Sequence, residues 1–275
     1  MKSKIETWLI FIFLTVITLG TIYPVLNIIG VSLRTDNAFH TKSLAVLTES
    51  SGFVSYIHLI TETPFLLWLK NSLLISIAVT LLGVVLASTS AYALSRYRFK
   101  GRQFGMIALL TTQMFPATML LLPFFILLSK LALINSFIGL AIIYSSTALP
   151  FCIWQMKGFY DTIPSALEES ACMDGCNQFQ AFYKIVLPLS TPALVITALF
   201  SFMASWSEYV VAAIILQDPE LYTLPLGLKS FQSSLATEWG LYAAGAVVIS
   251  IPVVILFISL SRFLVSGLTM GSVKG

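Results

Sequence analysis

The chain has 275 residues, of which 57% are hydrophobic and 10% charged, with a mean hydropathy of +0.92. So few charges could not cover the apolar surface of a soluble domain of this length, which excludes one or two globular domains and points to an integral membrane protein. A net charge of +3 argues against a nucleic-acid binder and against an acidic scaffold.

Crossing an apolar layer of about 30 Å takes roughly 20 helical residues. Six tracts meet that length, at about 8–32, 72–95, 104–128, 137–156, 189–216 and 241–265. They predict an all-α polytopic membrane protein, a single transmembrane domain over 1–275 with six transmembrane helices. The first tract reads as a retained anchor, since no small-residue cleavage site follows it. Pro24, Pro116, Pro123, Pro150 and Pro252 fall within or at the ends of these tracts, where prolines mark bends. No internal duplication is visible, which disfavours carriers built from inverted repeats.

Basic residues set the orientation. Lys2, Lys4, Arg96, Arg98, Lys100, Arg102, Lys157, Lys184, Arg262 and Lys274 lie on one side, against Arg34, Lys42, Lys70, Lys130 and Lys229 on the other. The richer side is expected to be cytoplasmic and to hold both termini. The longer outer loops are then 33–70 and 217–240. Cys152, Cys172 and Cys176 make no disulfide framework. Cys172 and Cys176 could share a helix face, but His40 and His58 lie far away in sequence, so the segment offers too few ligands for a metal.

Between the fourth and fifth tracts lies a polar island, 161–188, expected to form a cytoplasmic loop of two short helices. Asp161 or Thr162 can begin the first helix, Pro164 suits its first turn, and Ser165 with Glu168 has capping-box spacing. Ile163, Ala166, Leu167, Ser170 and Ala171 fall on one face, and Gly175 fits as the left-handed residue that ends the helix. Asn177 with Gln180 can cap a second helix over 178–186, which Pro188 and Pro192 then stop. Small residues at Ser170 and Ala171 allow close approach of a partner, and Glu168 and Glu169 flank that face, where a partner arginine could bind one of them. An amphipathic helix lying on the membrane would favour Lys and Arg instead of Glu168, Glu169 and Asp174, so protein docking is the better reading.

No phosphate cradle of the G-x-x-x-x-G-K-S/T kind occurs, and no acid cluster lies within the apolar tracts. Energy therefore comes from another chain or from an ion gradient. Glu208, in "SWSEYVVA", is the one strong ionisable candidate for the latter. It falls near the outer end of its tract, beside Trp206 and Tyr209, which resemble an interfacial belt. Boundary or packing duty, lining of a solute path and proton coupling all stay open for it. A path for a polar solute would use polar groups and aromatic faces, for which Tyr144, Trp206, Glu208 and Tyr209 are candidates.

Glu169, Ala171 and Gly175, followed by Ile185 and Leu187-Pro188, match the EAA-x3-G-x9-I-x-LP loop of importer permeases driven by ATP-binding cassettes, with Ser170 in place of the first Ala. "AYALSRYRFKGRQ" (91–103), "FYDTIPSALEESACMDG" (159–175) and the tail "RFLVSGLTMGSVKG" (262–275) resemble carbohydrate-importer permeases, most closely those for maltose and maltodextrin. The resemblance runs over nearly the whole chain and implies a type I importer permease in a bacterial cell membrane. It implies that Glu168, Glu169, Ser170, Ala171, Asp174, Gly175, Ile185, Leu187 and Pro188 couple the chain to an ATPase. Gly271, Ser272, Val273, Lys274 and Gly275 would then reach into the ATPase dimer, with Lys274 free to pair with an acid there. The implied partners are a homologous second permease of the MalF type, two ATPase subunits and an extracytoplasmic sugar-binding protein. ATP and Mg would sit on the ATPase subunits and no cofactor on this chain, which would catalyse no covalent step. A permease for another solute such as glycerol phosphate, and an ion-coupled carrier, are the rival expectations.

Overall fold

The computed structural model describes residues 4–39, 51–232 and 237–270, which are helical almost throughout. Among them the single β feature is an isolated bridge between Arg34 and Ser51. Among the described residues four helices are long and apolar enough to cross a membrane, and a bent pair makes up to five. Helix α1 runs Lys4–Leu33, α2 Val54–Thr61 and α3 Phe65–Arg96. The most apolar stretch of α1 has no buried residue, and Trp8, Phe11 and Phe13 are each more than 60% exposed. Apolar exposure on that scale requires lipid or another protein as its surroundings.

The tract expected to be one helix over 104–128 is broken. It forms α4 (Arg102–Thr112), a 3-10 turn Ala117–Leu120 and α5 (Leu121–Lys130). Pro116 explains the break. It lacks an N–H, its extended backbone (φ −58, ψ 131) leaves the helical path, and its ring disfavours helix in Phe115. Pro123 sits in the first turn of α5, where a missing donor costs nothing. Pro150, by contrast, lies inside the unbroken α6, Phe137–Tyr160, whose start is capped by the Ser136 hydroxyl accepting from Gly139 N.

After α6 come α7 (Ala166–Met173), α8 (Gln178–Ala181), a π turn Phe182–Val186 and the short α9 (Leu187–Leu189). The chain then bends by 78° into α10, Thr191–Trp206. Helix α10 stops at Ser207, and α11 occupies Val210–Ile215, so the expected tract 189–216 is also interrupted. α12 (Leu224–Lys229) and α13 (Trp239–Met270, containing Pro252) complete the described chain.

The chain divides into two compact units, Met1–Leu67 with Gly227–Pro252, and Trp68–Leu226 with Val253–Gly275. In the first, the Asn37 side chain accepts from Gly240 N at 2.9 Å, and Phe39 packs on Trp239 with ring centroids 4.5 Å apart. The second holds two apolar cores. One gathers Ile75, Leu128, Leu140, Ile143 and Ile215; the other gathers Ala87, Ala91, Met156, Tyr160, Phe182 and Val186. That second core carries the polar island.

Candidate functional site

The island is built on the ends of α3 and α6. Ile163 packs in the second core and Ala171 is buried, each 8% exposed, while Leu167, Glu169, Ser170 and Met173 point outward. Met173 is 88% exposed. The Ser170 hydroxyl donates to Ala166 O at 2.8 Å, so it folds onto its own helix and keeps the outer surface small. This accounts for a serine standing where the motif has alanine.

Helix α7 ends as its sequence predicts. Gly175 has φ +93, the amide of Cys176 donates to Ala171 O at 3.0 Å, and Gly175 N donates to Cys172 O at 3.1 Å. These two bonds are the Schellman closure, which satisfies the last carbonyls and turns the chain sharply. The expected capping box between Asn177 and Gln180 is present in both directions, at 2.8 and 2.9 Å. The second helix is distorted: Phe182–Val186 is a π turn, and Pro188, expected to stop the helix, lies inside the short α9 that carries it on to Leu189, its missing amide falling where the α pattern is already broken. Ile185 and Leu187 are half-buried, and Pro188 and Asp174 are exposed.

Two expectations for the first helix are corrected. Ser165 is already helical (φ −63, ψ −24) and makes no side-chain cap. Glu168, expected at its far end of the box, is bonded elsewhere. Its Oε1 accepts from Arg96 Nε at 2.6 Å and its Oε2 from the Tyr92 hydroxyl at 2.6 Å. Glu168 is therefore held inside the chain and does not flank an open face, whereas the Glu169 side chain remains exposed.

The site residues that sequence reasoning passed over are in the last two turns of α3 and at Tyr97 just after it. Arg96 also donates to Ile163 O at 2.9 Å, Ser95 to Asp161 at 2.6 Å, and the Tyr97 hydroxyl to Gln178 at 2.9 Å. Lys157 reaches the other oxygen of Asp161 at 2.5 Å. Burial alone would raise the Asp161 carboxyl. The Lys157 and Ser95 bonds, with the charges of Lys157 and Arg102, outweigh it and hold the carboxyl below its ordinary value. The available signal was the pair Tyr92 and Arg96, one helical turn apart on one face.

The candidates for a solute path are only partly brought together. The Tyr144 hydroxyl donates to Glu208 at 2.9 Å, and Tyr209 packs against the same apolar core. Glu208 also accepts from Val211 N and Ala212 N at 2.9 and 3.3 Å, so it caps the interrupted helix. Trp206 stands apart. It is 2% exposed and stacks on Phe202 at 5.3 Å, so it faces protein and not a lipid–water boundary. A cleft of about 510 Å³ lies beside α3 and α6, but its walls are Leu, Ile, Ala and Phe apart from Ser145 and Ser146, a poor match for sugar hydroxyls. The tail Gly271–Gly275 lies outside the described residues.

The described residues form an all-α chain with exposed apolar helices and a polar elbow bonded to the ends of α3 and α6, the form of a membrane permease. The chain belongs to the binding-protein-dependent transport system inner membrane component family, whose model matches residues 79–269. It is 36% identical to the maltodextrin transport system permease protein MdxG of Bacillus subtilis, over all of this chain and 98% of that protein. It is 37% identical to the maltose/maltodextrin transport system permease protein MalG of Salmonella typhimurium, over all of this chain and 98% of that protein. It is 33% identical to the diacetylchitobiose uptake permease DasC of Streptomyces coelicolor, over 94% of each. Its fold matches a chain in the crystal structure of a bacterial ABC transporter that imports alginate, with a TM-score of 0.84 at 23% identity, covering 96% of this chain and 99% of that one.

Proposed function

We propose that this chain is the transmembrane permease subunit of an ATP-driven importer of oligosaccharides, with maltodextrins as the first substrate class to test. The carrying observation is α7, whose inner edge is bonded to α3 while Leu167, Glu169, Ser170 and Met173 stay exposed. A short, closed helix with small residues and the exposed carboxylates of Glu169 and Asp174 suits a groove on an ATPase subunit. The other members of the complex would be a homologous permease, a pair of ATPase subunits holding ATP and Mg, and an external sugar-binding protein. The chain would lie in a bacterial cell membrane with both termini and α7 in the cytoplasm, and its tail, 271–275, would reach the ATPases. Maltodextrin and other oligosaccharide permeases among the relatives support the substrate class.

In this reading ATP closes the ATPase pair, the docked helices move together, and the cavity switches from inward- to outward-facing. Nucleotide drives the switch only by binding one state better than the other. The test is reconstitution of the complete complex in proteoliposomes, with uptake of labelled maltodextrin. Uptake that needs internal ATP and the binding protein is expected. Uptake by this chain without an ATPase, abolished by an ionophore, would instead identify an ion-coupled carrier.

A further inference from the structure

Helix α7 is joined by short stretches of chain to α6 and α8, so any push on it reaches those elements through the backbone. Helix α3 has no such connection, since Arg96 and Glu168 are 72 positions apart in sequence. What joins them is polar. Both oxygens of Glu168 are taken by residues one turn apart on α3, and the Arg96 guanidinium also holds Ile163 O, just before α7 begins. The side chains of Arg96 and Glu168 are 16% and 12% exposed. A charge-assisted pair so shielded is screened less by water and salt than a surface ion pair.

We infer that Arg96 and Tyr92 are positioning residues that carry displacement of α7 into the transmembrane helix α3 through Glu168. The two adjacent acids then divide the work, Glu168 as an internal strut and Glu169 as the outward contact. The surrounding packing makes the strut stiff. Tyr92 lies against Phe182 at 4.5 Å and edge-on to Tyr160 at 6.1 Å, so its ring is held by two aromatic neighbours. A close-packed core of this kind shifts between discrete arrangements and does not stretch. Without the bonds, the end of α3 would be tied to the island only on either side of α7, by Ser95 to Asp161 and Tyr97 to Gln178, so that movement of α7 would reach α3 weakened and more ATP would be spent per sugar moved.

This inference rests on the importer reading, and its test is built so that the two can fail separately. In the assembled complex, Arg96→Gln is expected to co-purify with ATPase subunits as wild type does, yet to lose about tenfold in sugar taken up per ATP hydrolysed. Arg96→Lys should recover part of that ratio. Tyr92→Phe removes one bond and keeps the ring, so it tests the link even if Arg96→Gln folds badly; a smaller fall in the same ratio is expected. A ratio within twofold of wild type in both Arg96→Gln and Tyr92→Phe would overturn the inference. So would a loss of uptake matched by loss of bound ATPase, which is what a merely structural role produces. If wild type takes up no sugar, the importer reading fails, and the strut is judged by hydrogen exchange in the same complex. Amides of Leu167–Ala171 must then exchange faster in Arg96→Gln, and unaltered exchange sinks the strut.

Discussion

The amide of Cys176 reaches back to the carbonyl of Ala171 at 3.0 Å, and with the bond from Gly175 N to Cys172 O it turns the polar island away from its first helix. It forms only because Gly175, between them, holds φ +93.

A side chain at Gly175 is therefore expected to act through backbone conformation alone, since an added Cβ would meet nothing within 4 Å. Left-handed geometry costs an L-residue about 1–2 kcal/mol, more for a β-branched one and less for Asn. The expected order of harm is Asn, then Ala, then Val. Co-purification of ATPase subunits measures it, and a Gly175→Val complex as intact as the Asn variant would refute the corner.

Glu169→Lys separates the two acids. The side chain is exposed and outside the Arg96 strut, so the thermal stability of the chain should change by no more than about 0.5 kcal/mol. Loss of a charge-assisted bond, about 1.5–3 kcal/mol, should weaken ATPase binding tenfold or more. Titration of the ATPase onto the reconstituted variant reads this directly, and unaltered affinity would remove Glu169 from the contact.

Asp161 supplies an acid-sensitive tie. Its folded pKa lies below the ordinary 3.8, so its contribution is present above that value and is lost as pH falls further, through the folded pKa. Asp161→Asn should be less stable than wild type at neutral pH, and the gap should close below about pH 4. Melting curves between pH 7 and pH 3 test it; a gap that widens on acidification would contradict the sign.

Glu208 is expected to matter first as a cap. Glu208→Ala leaves Val211 N without its acceptor and should cost about 0.5–2 kcal/mol, whereas Glu208→Gln keeps an acceptor oxygen and should cost less. Equal melting temperatures for the two variants would show that the cap contributes nothing.

Gly83 on α3 marks a close approach to α10. A Cβ there would lie 2.6 Å from the Ser201 hydroxyl, which is fully buried beside Cys152. Gly83→Leu should destabilise by about 1–3 kcal/mol through overpacking. Gly83→Ala should be milder and partly relieved by Ser201→Ala. Lack of relief in that double variant would argue against this contact.

Much of this was legible along the chain because the determinants are local. The apolar tracts, the Gly175 corner and the Asn177 cap each depend on residues within one or two turns, whose backbone preferences do not wait for the rest of the molecule. The residues Glu169, Ala171, Gly175, Ile185 and Leu187-Pro188 could be placed by their resemblance to the loop of importer permeases. Tertiary structure decided what distance in sequence hides: that Glu168 turns inward to Arg96 and Tyr92, that Trp206 is covered by protein, and that Tyr144 meets Glu208. A carboxylate beside a helix face looks the same in sequence whether it points out or in. Its direction is fixed by which cation the packing of α3 brings within 3 Å, and that is a property of the assembled core.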